Sequence, residues 1–103
     1  MESLEIAYYE IGVSIYKYQL GARKPSRLEF IEKGKQWILE QKAIICDIIK
    51  SPKVKAIIEE SDEKNTEQNI RDLVDILVSL KLGVPPFALA KLILHLGSNW
   101  FCE

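Results

Sequence analysis

The sequence predicts an all-α protein: a compact, irregular bundle of four to five helices forming one domain over residues 1–103. Three observations lead there. Apolar residues recur at helical spacing through most of the chain. Ser, Thr and Pro stand where helices should start, and glycines where they should stop. The stretch Ile70 to Cys102, dense in Leu, Ile and Val, is broken once by Gly83-Val84-Pro85-Pro86, as two core helices joined by a rigid turn would be.

The first segment, residues 3–20, places Leu4, Ala7, Tyr8, Ile11, Ile15 and Tyr18 at helical spacing, with Gly21 as a C-cap and Pro25 beyond it. Gly12, the β-branched residues and the alternation of Leu4, Ile6 and Tyr8 favour a hairpin instead, so helix is the expectation and hairpin its competitor. Ser26 and Glu29 then have capping-box spacing. Phe30, Ile31, Gly34, Trp37, Ile38, Gln41, Ile45, Ile48 and Ile49 keep one helical phase, which predicts a single helix to about Lys50.

Ser51-Pro52 supplies an N-cap followed by proline at the first helical position. Val54, Ile57 and Ile58 make a short helix ending near Glu60, followed by a polar loop over 61–65. Thr66 caps a helix carrying Ile70, Leu73, Val74, Leu77 and Leu80, which Gly83 ends as its C′ residue. Pro85-Pro86 starts the last helix, Phe87 to Leu96. Gly97-Ser98-Asn99 ends or bends it, and Trp100-Phe101 folds back.

Composition narrows the function classes. The chain is 48% hydrophobic and 28% charged, which excludes low-complexity disorder. A net charge of -1 hides an asymmetry: residues 17–55 hold ten basic side chains against four acidic ones, and residues 59–103 hold eight acids against four bases. Cys46, in Ala43-Ile44-Ile45-Cys46, reads as a small core residue and Cys102 as an exposed thiol, so no disulfide framework is expected. The start lacks the basic region of a secretory signal, and Leu82 to Trp100, with two prolines, Lys91 and His95, is a poor membrane span. The expected compartment is a reducing cytoplasm, with no membrane contact.

No motif for catalysis stands out. One histidine, His95, and two separated cysteines do not make a metal site. Asp72 and Asp75 share a helix face, and Asp47 could face them, but they occupy the polar stripe of an amphipathic helix. The five glycines are scattered singly, so no phosphate loop exists. The helix after Gly83-Val84-Pro85 offers only Lys91 and His95 and is a core helix, not a recognition helix.

The sequence therefore points to contact, not catalysis: a small cytoplasmic module that binds another protein, or itself, and needs no cofactor. The expected surface joins Tyr9 and Tyr16 to Trp100 and Phe101, with Arg23, Lys24 and Arg27 as a polar rim, because interfaces favour aromatics and arginine. The weaker alternative is a regulator that touches nucleic acid through the basic segment 23–55.

Overall fold

The computed structural model describes residues 3–16, 23–59 and 66–103. Within them are six helices and no strand: α1 Ser3–Ile15, α2 Arg27–Glu40, α3 Lys42–Lys50, α4 Pro52–Glu59, α5 Thr66–Leu80 and α6 Pro86–Phe101. The all-α bundle stands, with six helices in place of four to five. The N-terminal segment is helix, not hairpin, through Ile15. The helix stops short of the expected Leu20, since Tyr16 already lies outside it; residues 17–20, the expected cap at Gly21 and the loop over 61–65 lie outside the described residues.

Helices α1 and α2 approach each other to backbone contact. A Cβ on Gly12 would land on the carbonyl oxygen of Phe30 and 2.7 Å from its carbonyl carbon; one on Gly34 would land on the carbonyl oxygen of Tyr8 and 2.8 Å from its carbon. Tyr8 and Gly12 are one turn apart on α1, and so are Phe30 and Gly34 on α2. Each helix thus offers a bare Cα to the other's carbonyl, in antiparallel register. Backbone meets backbone, the geometry in which Cα–H groups donate weakly to carbonyl oxygens. Gly12, which in the sequence argues against a helix, is what lets this helix pack.

A single helix over 26–50 is not what forms. Gln41, at φ −96° and ψ 7°, separates α2 from α3. Its own amide still donates to Trp37 and its carbonyl still accepts from Ile45, both at 2.9 Å. The bend therefore breaks direction with little loss of hydrogen bonding. Gly34, Ile38, Ile45 and Ile49 keep one helical phase across it, so periodicity could not reveal it. Before the bend the buried residues face α1; after it, Ile45, Cys46 and Ile49 enter the core that α3 shares with α6 and α4.

The caps are partly as expected. The Glu29 amide donates to Ser26 Oγ at 3.2 Å, while the Glu29 carboxylate accepts from Arg23 at 3.4 Å instead of reaching back. Pro52 opens α4, but the Ser51 hydroxyl donates to the carbonyl of Ile48 at 2.7 Å, so it closes α3 and leaves α4 without a side-chain cap from it. At the end of α5 the left-handed position falls on Lys81 (φ 50°), two residues before Gly83 (φ 84°).

Helix α6 is the hub, touching α1, α3, α4 and α5. Ala88, Leu89, Ala90, Leu92 and Ile93 are all fully buried. At Gly97 the backbone takes φ 84° and ψ 162°, a combination essentially reserved for glycine, and the last turn sets off in a new direction. That turn carries Phe101 into the core and brings Cys102 to Cys46. The two cysteines form a disulfide, with Cα atoms 5.1 Å apart across a sequence separation of 56. The expectation of two separate thiols is corrected: Cys46 is a buried core residue and Cys102 is exposed, yet the kink at Gly97 makes them neighbours. Closing a loop of that length removes about 4 kcal/mol of unfolded-chain entropy.

Asn69 is the one buried polar side chain among the described residues. Its Nδ2 has no hydrogen-bond partner. It lies on the same face of α5 as the buried Leu73 and Leu77, one and two turns on. An unmet buried donor costs about 1–3 kcal/mol. Asn69→Leu should therefore raise the urea midpoint by an amount worth roughly 1 kcal/mol; a fall in the midpoint would mean that the amide is needed. In the opposite direction, Gly34→Ala should lower stability by about 3 kcal/mol or more, because backbone cannot yield to the new methyl as a side chain would. A variant of unchanged midpoint would show that α1 and α2 are not held this close.

Candidate interaction surface

Five of the seven residues expected to form a contact surface lie together at the open end of the α1–α2 pair. Phe30, fully buried, is the anchor. Tyr9 and Tyr16 meet its ring edge-on, at centroid distances of 5.7 and 5.5 Å. Arg27 sits over the Tyr9 ring at 5.6 Å and Lys33 over Tyr16 at 5.8 Å. Arg23 pairs with Glu29, both well exposed, and Lys24 is exposed. Each exposed cation–ring contact is worth about 0.5–1 kcal/mol. Their main effect is to hold several long cations over aromatic faces.

Trp100 and Phe101 do not join this group. Phe101 is fully buried, and Trp100, half-buried, packs edge-on to it at 4.9 Å with Lys42 over its ring at 4.6 Å. Lys42 starts α3, so the length of α2 separates it from Arg27, roughly 22 Å at 1.5 Å per residue. The expected single patch is thus two places in the fold, one at each end of α2.

Sequence reasoning passes over the outer side of α2. This helix touches α1 and, at its far end, α3, and no other element. Leu28 is 67% and Leu39 55% exposed on that side, and Ile44, beyond the bend on α3, is 51% exposed. Between the two leucines Glu32 and Lys35 approach each other at 4.0 Å. The spacing Leu28, Glu32, Lys35, Leu39 is itself a helical stripe out of phase with Phe30, Gly34 and Ile38, and that offset was the available signal.

Two surface grooves flank these groups. One of about 370 Å³ runs between Ile15 and Tyr16 on one side and Lys33, Trp37 and Glu40 on the other. The second, about 250 Å³, lies beside Cys102 and is lined by Lys50, Lys55, Ile58, Glu59 and Ser98. Among the described residues no group of three or more His, Cys, Asp or Glu could hold a metal ion. Asp72 accepts from Gln68 at 2.8 Å and Asp75 is exposed; Asp47 does not face them, because α3 and α5 are not in contact. Nor is any described helix long and apolar enough to cross a membrane.

Comparison with known proteins brings no match: no family model fits the chain, and no curated protein or solved structure resembles it.

Tyr8 stands where the two helices are closest, with Lys35 Nζ 5.8 Å from its ring centre. Burial raises its hydroxyl above the ordinary 10.0. The fold therefore favours the neutral phenol. That contribution is complete below pH 10.0 and is lost as pH rises through the higher folded value. Between about pH 9 and 11, denaturation midpoints of the natural chain should fall more steeply than those of Tyr8→Phe. Parallel slopes would remove Tyr8 from the alkaline response.

Proposed function

We propose that the chain is a protein–protein contact module, an adaptor, inhibitor or accessory subunit, and that it works without catalysis. The observation that carries this reading is the position of α2 at the edge of the bundle. It gives one side to α1 and leaves Leu28 and Leu39 in solvent on the other, while Arg27 and Lys35 of the same helix stand over the rings of Tyr9 and Tyr8. Exposed apolar side chains with Arg, Lys and Tyr nearby have the make-up of protein contact surfaces. The partner that fits is a protein face with an apolar centre and carboxylates around it. Its place of action in this reading is the cytoplasm, where disulfides are usually transient or regulatory.

A second reading, nucleic-acid contact through segment 23–55, is favoured by one arrangement: Lys50, Lys53 and Lys55 are all exposed around the turn between α3 and α4. The two readings separate by salt. Phosphate contact weakens steeply as salt rises, and a retardation assay at low salt with no shift ends that reading.

Photo-crosslinking tests the leading one. A crosslinking amino acid at position 28 or 39 should give a discrete protein adduct in cells, while one at Gln68, on the exposed part of α5, should not. Arg27→Ala should weaken capture of the same partner about tenfold, equivalent to about 1.4 kcal/mol. Light scattering on the purified chain decides whether that partner is a second copy. Adducts at neither position 28 nor 39, or equal adducts at Gln68, would overturn the proposal.

A further inference from the structure

We propose that the Cys46–Cys102 disulfide is a thiol-exchange site, entered at Cys102 by a small thiol, and that its opening frees the chain beyond Gly97. This inference stands apart from the contact reading: it rests on the other end of the molecule. Four observations carry it. The two cysteines differ in exposure: Cys46 is 7% exposed within the core while Cys102 is an exposed residue. Cys102 lines a groove of about 250 Å³, a size suited to a small thiol and not to a folded protein. Lys50 and Lys55 line the same groove, and Lys42 and Lys50 stand one turn before and after Cys46 on α3. Finally, Gly97 has open space around it and a backbone conformation proper to glycine, so the segment that holds Cys102 leaves the helix at a hinge.

The chemistry follows from access. Exchange starts with a thiolate attacking the sulfur it can reach. Here a thiolate RS⁻ forms a bond to Cys102 Sγ, the Cys46–Cys102 bond breaks, and its electron pair leaves on Cys46 as thiolate. Lys42 and Lys50 stand one turn before and after Cys46 on α3, Glu59 lines the groove, and Asp47 and Glu103 follow the two cysteines in the chain. A second RS⁻ attacks the external sulfur of the mixed disulfide, releasing Cys102 as thiolate and RSSR. Two thiols are oxidised, one protein disulfide is reduced, and two protons pass to the cysteines. What then holds the last turn is the burial of Phe101, the stacking of Trp100 under Lys42, and the Cys102 amide donating to Ser98 at 3.0 Å. A single turn after a hinge is too short to persist by itself.

The test uses the folded natural chain with reduced glutathione as the thiol. Trapping by acid and peptide mapping should find glutathione on Cys102 and not on Cys46. Hydrogen exchange on the reduced chain should then speed up about tenfold or more over 98–103 while α5 and the middle of α6 keep their protection. Lys50→Ala with Lys55→Ala should slow the first step several-fold. Cys46→Ser leaves Cys102 to react with oxidised glutathione at least about tenfold faster than Cys102→Ser leaves Cys46. Three results would each overturn the proposal: an adduct on Cys46, a disulfide that resists thiol until the chain is denatured, or unchanged exchange over 98–103 after reduction. The first would put the entry at the core sulfur, and the second would make the bond a permanent staple of an oxidised protein; the mapping and exchange need no variant, so a failure of either serine variant to fold leaves them decisive.

Discussion

Everything in the N-terminal half follows from two glycines that let two helix backbones touch. With Gly12 under the Phe30 carbonyl and Gly34 under the Tyr8 carbonyl, the register of α1 against α2 is fixed to the residue. Side chains that would normally fill the gap are turned outward. Ala7 and Ile11 go to the core shared with α6, while the tyrosines spread to the flanks and meet Phe30 edge-on. A close backbone pair leaves few places for aromatic bulk except its rim, and the rim is where the cations find it. The surface chemistry of this end is thus a by-product of how tightly its interior is closed.

The C-terminal half solves a different problem. Helix α6 is asked to serve four neighbours, and an apolar surface over most of its circumference is the answer. Such a helix cannot also end in solvent gracefully. The turn at Gly97 takes the last residues off the helix axis, so that Phe101 plugs the core and Trp100 covers it from outside. The disulfide then ties the outcome to α3. Hydrophobic burial decides where the tail lies, and the covalent bond decides how long it stays.

What the sequence disclosed was local, and what it withheld was not. Ser26 with Glu29, Pro52, the apolar spacing from Ile70 to Leu77 and the Gly83-Val84-Pro85-Pro86 turn each announce themselves through residues a few positions apart. The bend at Gln41 has no such mark, because the buried phase runs through it unchanged. Gly12 counted against a helix and Gly34 was one position in a helical phase, and the meaning of both is a contact between helices. Cys46 and Cys102 likewise pair across 56 residues only because of the kink at Gly97. The residues expected to form one surface do come together at the α1–α2 end. Trp100 and Phe101, expected also to fold back, stand apart at the other end of α2 as one cover and one core residue. Leu28 and Leu39 were overlooked because attention to the buried stripe leaves the opposite side of the same helix unread.

The placement of the disulfide gives the covalent chain the topology of a lariat. Residues 46–102, which hold the last part of α3 and all of α4, α5 and α6, form a closed ring; α1 and α2 are the free strand that leaves it. Cross-linking reduces the freedom of the ring when it unfolds and gives the strand no such help. The N-terminal pair is held by backbone proximity, by the seam of α1 on α6 and by the short contact of α2 with α3. The molecule should therefore breathe in two cooperative units of unequal depth, with the helix pair parting from the ring before the ring itself opens.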